Sequence, residues 1–177
     1  MKYLLIICTS LMLLGHRLAA ASSIGDTTIQ DDYFGLHIRW GAISSWRVIT
    51  PETEWRGLQP QPNTWKFDAL DRAIAIAEER KVDAILTLGQ TPRWASARPN
   101  EPSANGQGFS AEPRDVSDWN AYVRKVVQRY RGRIKYYEIW NEPYYSDLRG
   151  YTTKGHFSGS VANMIQLAEI AHTAIRE

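Results

Sequence analysis

The chain has 177 residues, is 44% hydrophobic and 11% aromatic, and carries a formal charge of +2. That composition suits one globular domain and excludes a disordered or fibrous chain. The small positive excess is supplied by Lys2 and Arg17, near the N-terminus, so the charge balance of the rest gives no argument for a nucleic-acid or anionic-membrane partner.

In chain order, Lys2, the apolar run Tyr3 to Leu14 and the small residues Ala19-Ala20-Ala21 have the pattern of a secretory signal peptide. The run is short for a bilayer span. Cleavage after Ala21 would remove the only cysteine, Cys8, and the exported domain would then be held by its core without disulfides. The expected location is secreted or periplasmic. The domain plan is 1–21 signal peptide, 22–32 polar leader and 33–177 folded domain.

Phe34 to Trp40 and Ile43 to Val48 have the alternation of strands, and a proline-bearing loop follows. Asp68 is expected to cap a helix in which Leu70, Ile74 and Ala77 recur at helical spacing through about Arg80. Ala84 to Gly89 is apolar without alternation, as in a strand buried on both faces of a parallel sheet. Residues 91–118 form a long Pro-, Ser-, Asn- and Gly-rich loop, a class that is usually functional or mobile, with Asn105-Gly106-Gln107-Gly108 as its flexible tip.

The clearest helix carries Trp119, Tyr122, Val123, Val126, Val127 and Tyr130 on one face, with Gly132 placed to end it. The strand Ile134 to Trp140 follows. Ser160 then caps a last helix with Val161, Met164, Ile165, Ala168, Ala171 and Ile175 on one side. Strands alternating with amphipathic helices imply parallel βα units. The fold class is α/β, either a small open sheet or the first four strands of a (β/α)8 barrel, which needs about 250 residues when complete.

In such folds the chemistry sits at the carboxyl ends of the strands. Those ends offer His37, Arg39 and Trp40; Trp46 and Arg47; Gln90, Thr91, Arg93 and Trp94; and Trp140, Asn141 and Glu142. Aromatics, arginine, amides and a carboxylate together suit a carbohydrate. Tryptophan stacks on the apolar faces of sugar rings, polar groups bind the hydroxyls, and a carboxyl group can protonate a glycosidic oxygen. Glu142, between Trp and Tyr residues, is a plausible site for a carboxyl group held protonated by burial. Period two puts Glu138, Trp140 and Glu142 on one face, so Glu138 would lie one layer deeper and need a partner, for which Arg47 is the candidate.

The stretches YEIWNEP, TLGQTPRWASARP and EWRGLQPQPNTWKFDALD, in their order along the chain, resemble the clan A glycoside hydrolases and most of all the family 39-like group of β-xylosidases and exopolysaccharide glycosidases. The resemblance spans about Tyr33 to Ala174. It implies a (β/α)8 barrel and a retaining two-carboxylate mechanism on an oligo- or polysaccharide, with no cofactor. Glu142 would be the general acid/base and Asn141 would bind the sugar 2-hydroxyl. Arg47 would support the nucleophile, His37 would contact the sugar, and Trp94 and Trp140 would lie at sugar subsites. The family's nucleophile lies near the end of the seventh strand, so residues 1–177 are expected to be an N-terminal half, inactive alone. The competing expectation is a secreted half-barrel that binds carbohydrate without cutting it.

Other chemistries lack their motifs. His16, His37, His156 and His172 show no zinc spacing, and neither a phosphate loop nor a Gly-x-Ser-x-Gly elbow is present. Against the catalytic readings stand plainer ones: an Arg47–Glu138 structural pair, a hydrogen-bonded core His37, a loop-packing Trp94, a core Trp119, and Trp55 and Trp65 as loop anchors.

Overall fold

The computed structural model describes residues 44–143 and 156–177 in full, and the backbone of residues 4–6, 32–33 and 36–37. Its centre is a parallel sheet. Strand β4 (Ser45–Val48) pairs with β5 (Asp83–Leu88), which pairs with β6 (Tyr136–Ile139), both in parallel. Strand β1 (Leu4–Ile6) lies parallel on the far side of β6. It comes from the run expected to be a signal peptide. Of the expected first strand, Phe34 to Trp40, only Leu36 and His37 are among the described residues. Strand β3 (Leu36–His37) instead pairs antiparallel with β2 (Asp32–Tyr33) in a separate two-stranded sheet, and Arg39 and Trp40 lie outside the described residues.

The register sets up the site. Arg47 stands opposite Ile85 and Thr87 opposite Glu138, so side chains from three neighbouring strands meet near their carboxyl ends.

A single turn, α1 (Trp55–Leu58), lies in the stretch expected to be irregular. The Trp55 and Arg56 amides donate to the Gly89 and Gln90 carbonyls, each at 3.0 Å, so the turn closes over the end of β5. Trp55 is fully buried, stacks on Tyr122 at 4.9 Å and meets Trp119 at 5.6 Å. It is a centre of the core, a larger role than the expected loop anchor. Gly57 permits the turn, because a Cβ there would lie 2.1 Å from the Pro51 carbonyl oxygen.

Helix α2 (Asp68–Glu79) buries Leu70, Ala73, Ile74 and Ala77, the expected stripe with Ala73 added. Its N-cap is Phe67 and not Asp68. Asp68 and Asp71 instead occupy the first turn, where the helix dipole favours negative charge. Helix α3 (Val116–Arg129) buries the predicted face, capped by Asp115, whose carboxylate accepts from the Ser117 amide at 2.8 Å. Gly132 takes the left-handed φ of +80° expected beyond its end.

Helix α4 (Val161–Arg176) starts with Ser160 and Asn163 in a reciprocal capping box. Its buried face is rotated from the expected one. Leu167 and Ala174 join Met164, Ala168, Ala171 and Ile175, while Val161 and Ile165 are exposed. Packing against α3 explains the rotation, since the Trp119 indole N–H donates to the Leu167 carbonyl at 2.9 Å and fixes which stripe faces inward.

Candidate active site

The site gathers at the carboxyl ends of β4, β5 and β6. Glu138 is nearly fully buried. One of its oxygens receives Arg47 Nε at 2.7 Å, Arg47 Nη2 at 2.6 Å and the Thr87 hydroxyl at 2.5 Å. This is the pair expected from the period-two argument, with Thr87 as a third member. Arg47 Nη2 also donates to Asn141 Oδ1 at 2.6 Å. With its oxygen engaged by the guanidinium, the Asn141 carboxamide has its NH2 group left to donate elsewhere. A sugar hydroxyl oxygen is the acceptor such a donor suits.

The backbone that carries the site is unusual. Gln90, Trp140 and Glu142 have φ of +61°, +64° and +44°. Non-glycine residues in this region cost of order 1–3 kcal/mol and collect at functional sites. Glu142 also precedes Pro143, whose ring steers its neighbour towards extended backbone. The strand is thus bent twice in three residues. The first bend turns Trp140 inward, and the second carries Glu142 out.

Trp140 is fully buried, against the expectation of a sugar-stacking platform. Its indole N–H donates to the His156 carbonyl at 2.6 Å and its ring packs on Phe157 at 4.8 Å. Gly89 makes room for it, since a Cβ there would come within 3.2 Å of the Trp140 ring. Glu142 is the reverse case. Its side chain is 47% exposed, so it is not the buried carboxyl group that its aromatic neighbours in sequence implied, and Tyr144 lies outside the described residues. The His156 ring stands beside it, with Nε2 3.8 Å from Glu142 Oε2.

Trp94 is partly buried, edge-on to Trp55 at 6.1 Å, and its N–H donates to the Gln59 carbonyl at 2.9 Å. It packs the long loop down and keeps some surface open. His37 belongs to the separate β2–β3 sheet and not to the strand ends that carry Arg47 and Glu142.

The long loop is tied to the body at several points. Arg98 forms a two-pronged pair with Glu112, both contacts at 2.7 Å, and also bonds Glu101 and Ser158. The Ser96 hydroxyl donates to the Gly108 carbonyl at 2.8 Å and the Thr91 hydroxyl to the Ala111 carbonyl at 2.7 Å. Even the tip is held, since Arg56 Nη1 donates to the Asn105 carbonyl at 2.7 Å while Arg56 covers the Phe109 ring. Arg56 is paired in turn with Glu54, a carboxyl group that burial pushes above its ordinary range in spite of this partner.

His156 and Asn105 were not among the site residues expected from sequence. No local spacing links either to Glu142, and only the fold brings them together. Gln90 was noted at its strand end. It is 2% exposed, and neither carboxamide atom has a hydrogen-bond partner among the described residues. Among those residues no cluster of side chains could hold a metal ion and no helix is long and apolar enough to cross a membrane.

Comparison with known proteins bears on the family and the fold. The model of glycosyl hydrolase family 10 matches residues 21–174. A family 39 glycoside hydrolase from the gut symbiont Bacteroides cellulosilyticus WH2 superposes with a TM-score of 0.51 at 13% identity, covering 77% of this chain and 24% of that one. A glucosidase from Croceicoccus marinus gives a TM-score of 0.44 at 16% identity, covering 66% and 21%. Xylanase B from Clostridium stercorarium F9 gives 0.42 at 19% identity, covering 71% and 39%. No curated protein matches. The chain spans between about a fifth and two-fifths of these solved structures, and its fold is part of a (β/α)8 barrel. The sequence likeness was to clan A as a whole, with family 39 nearest. The family match narrows it: the chain belongs to glycosyl hydrolase family 10, a clan A family.

Proposed function

We propose that this chain carries the acid/base side of the active site of an exported retaining glycoside hydrolase acting on an oligo- or polysaccharide. Glu142 is the acid/base. The observation that carries the reading is its setting: a half-exposed carboxyl group on a strained strand end, next to an Asn141 that Arg47 orients at 2.6 Å.

In the first step Glu142 delivers a proton to the leaving oxygen. In the second it takes a proton from the attacking water. Asn141 donates to a sugar hydroxyl, and Trp94 borders a subsite. A retaining reaction needs a second carboxyl group about 5–5.5 Å from the first. The family resemblance puts that group on a later strand, so hydrolysis requires residues 1–177 to be joined to it. The N-terminal run serves as the export signal, and its cleavage removes strand β1 from the edge of β6.

The test is Glu142→Gln in the protein joined to its later strands. Hydrolysis of substrates with poor leaving groups should be lost. Activated substrates should lose less, and azide should rescue the second step. Wild-type rates on natural glycans would end the assignment. The rival reading, a binding half-barrel without catalysis, is weakened by the burial of Trp140, which removes one of the aromatic platforms it needs.

A further inference from the structure

The contact between Glu142 and His156 extends to the tip of the long loop. Asn105 Nδ2 lies 3.2 Å from His156 Nδ1, while His156 Nε2 lies 3.8 Å from Glu142 Oε2. An amide nitrogen has hydrogens to give and no lone pair to accept with. With the Asn105 carboxamide in this orientation His156 Nδ1 is the acceptor, and in the neutral ring the single proton sits on Nε2, the nitrogen that faces Glu142. The loop tip thus chooses the tautomer, and the tautomer decides what Glu142 meets.

From this geometry we infer that His156 is a positioning residue for Glu142, set by Asn105. Its Nε2–H engages Glu142 Oε2 and leaves Oε1 as the oxygen that carries and delivers the proton. This rests on Glu142 being the acid/base. At 3.8 Å the contact is longer than a hydrogen bond. Catalytic hydrogen bonds often tighten only when substrate is bound. No proton leaves His156 in this role.

Both partners are anchored from behind. The His156 carbonyl accepts from the Trp140 indole at 2.6 Å, which ties the ring's backbone to the core beside the bent strand. The Asn105 carbonyl accepts from Arg56 Nη1 at 2.7 Å. The other charged groups that reach this region are already matched. Arg56 is paired with Glu54, and Arg98, which bonds Ser158, is paired with Glu112 and Glu101. Among the described residues Glu142 is therefore the charged group that His156 contacts.

The test needs no turnover. In the 177-residue chain labelled with 15N and 13C, the His156 ring is assigned by difference against His156→Gln. It is observed at a pH well above the ordinary histidine range. The expected spectrum has a protonated Nε2 and a bare Nδ1. Asn105→Ala should shift both ring nitrogens towards an unbiased mixture. Asn105→Asp, which offers an acceptor to Nδ1, should move the proton to Nδ1. The Glu142 carboxyl carbon, assigned against Glu142→Gln, should shift in Asn105→Asp and in His156→Gln while that of Glu138 stays in place.

A protonated Nδ1 in the unmodified chain would overturn the inference, as would ring nitrogens indifferent to both Asn105 substitutions. Should the His156 variant fail to fold, the two variants at the loop tip still decide. Failure here is separable from failure of the acid/base assignment, because hydrolysis by Glu142→Gln protein would end that assignment whatever the ring shifts show.

Discussion

Replacing Arg47 with methionine tests the network under the site. The change leaves the Glu138 carboxylate buried, its side chain 5% exposed, with the Thr87 hydroxyl as its one remaining donor among the described residues. Removing one partner of a buried ion pair costs about 3–5 kcal/mol, against about 0–1 kcal/mol for a surface pair. Arg47 is itself 39% exposed, so water entering the vacated space recovers part of the loss. The expected cost is therefore about 2–3 kcal/mol.

Urea denaturation at neutral pH measures it directly. Adding Glu138→Gln to Arg47→Met should recover more than half of it at neutral pH. A deficit below about 0.5 kcal/mol, in the range of an ordinary surface substitution, would refute the claim that this pair is buried and coupled.

Acid should weaken the fold through three carboxylates. The Arg129 hydrogen bond holds Asp71 below its ordinary range, with help from Tyr130; the Arg133 hydrogen bond does the same for Glu78, and that of Arg98 for Glu112. Folded values below the unfolded ones mean stability that is complete above about pH 5 and drains away as pH falls through the folded values. The melting temperature should drop on that limb, less steeply in Glu112→Gln, and an unchanged slope would count against the pairing. Asp115→Ala removes the α3 cap and should lower the denaturant midpoint; no change would mean that another group caps the helix. Gly57→Ala forces a Cβ against backbone at 2.1 Å and should cost about 1–3 kcal/mol or more, read as a lowered melting temperature. A neutral outcome would show that α1 relaxes freely.

Much of this was legible in the residues. Helix spacing picked out the buried faces of α2 and α3, because apolar residues three and four apart can share a core only in a helix. Ser160 and Gly132 marked helix ends because each does a local job, capping amides or taking a positive φ. The order of strands and helices implied a parallel sheet, and period two on β6 showed that Glu138 needs a partner, with Arg47 as the candidate that the structure pairs with it across 91 residues.

What the sequence could not set were directions that depend on neighbours. Tryptophans look alike in sequence whether they stack on sugar or fill a core. Trp140 is buried because its backbone turns through φ +64° and brings the indole to Phe157 and the His156 carbonyl. The exposed Val161 and Ile165 lie on a helix whose rotation is decided by one bond from Trp119 to Leu167. His37 fell in a different sheet because pairing partners are chosen by the whole chain and not by the strand. The link from Asn105 through His156 to Glu142 joins residues with no shared period or motif. Local chemistry determined which groups are present and which elements carry them, while the distances between those groups exist only once the chain is folded.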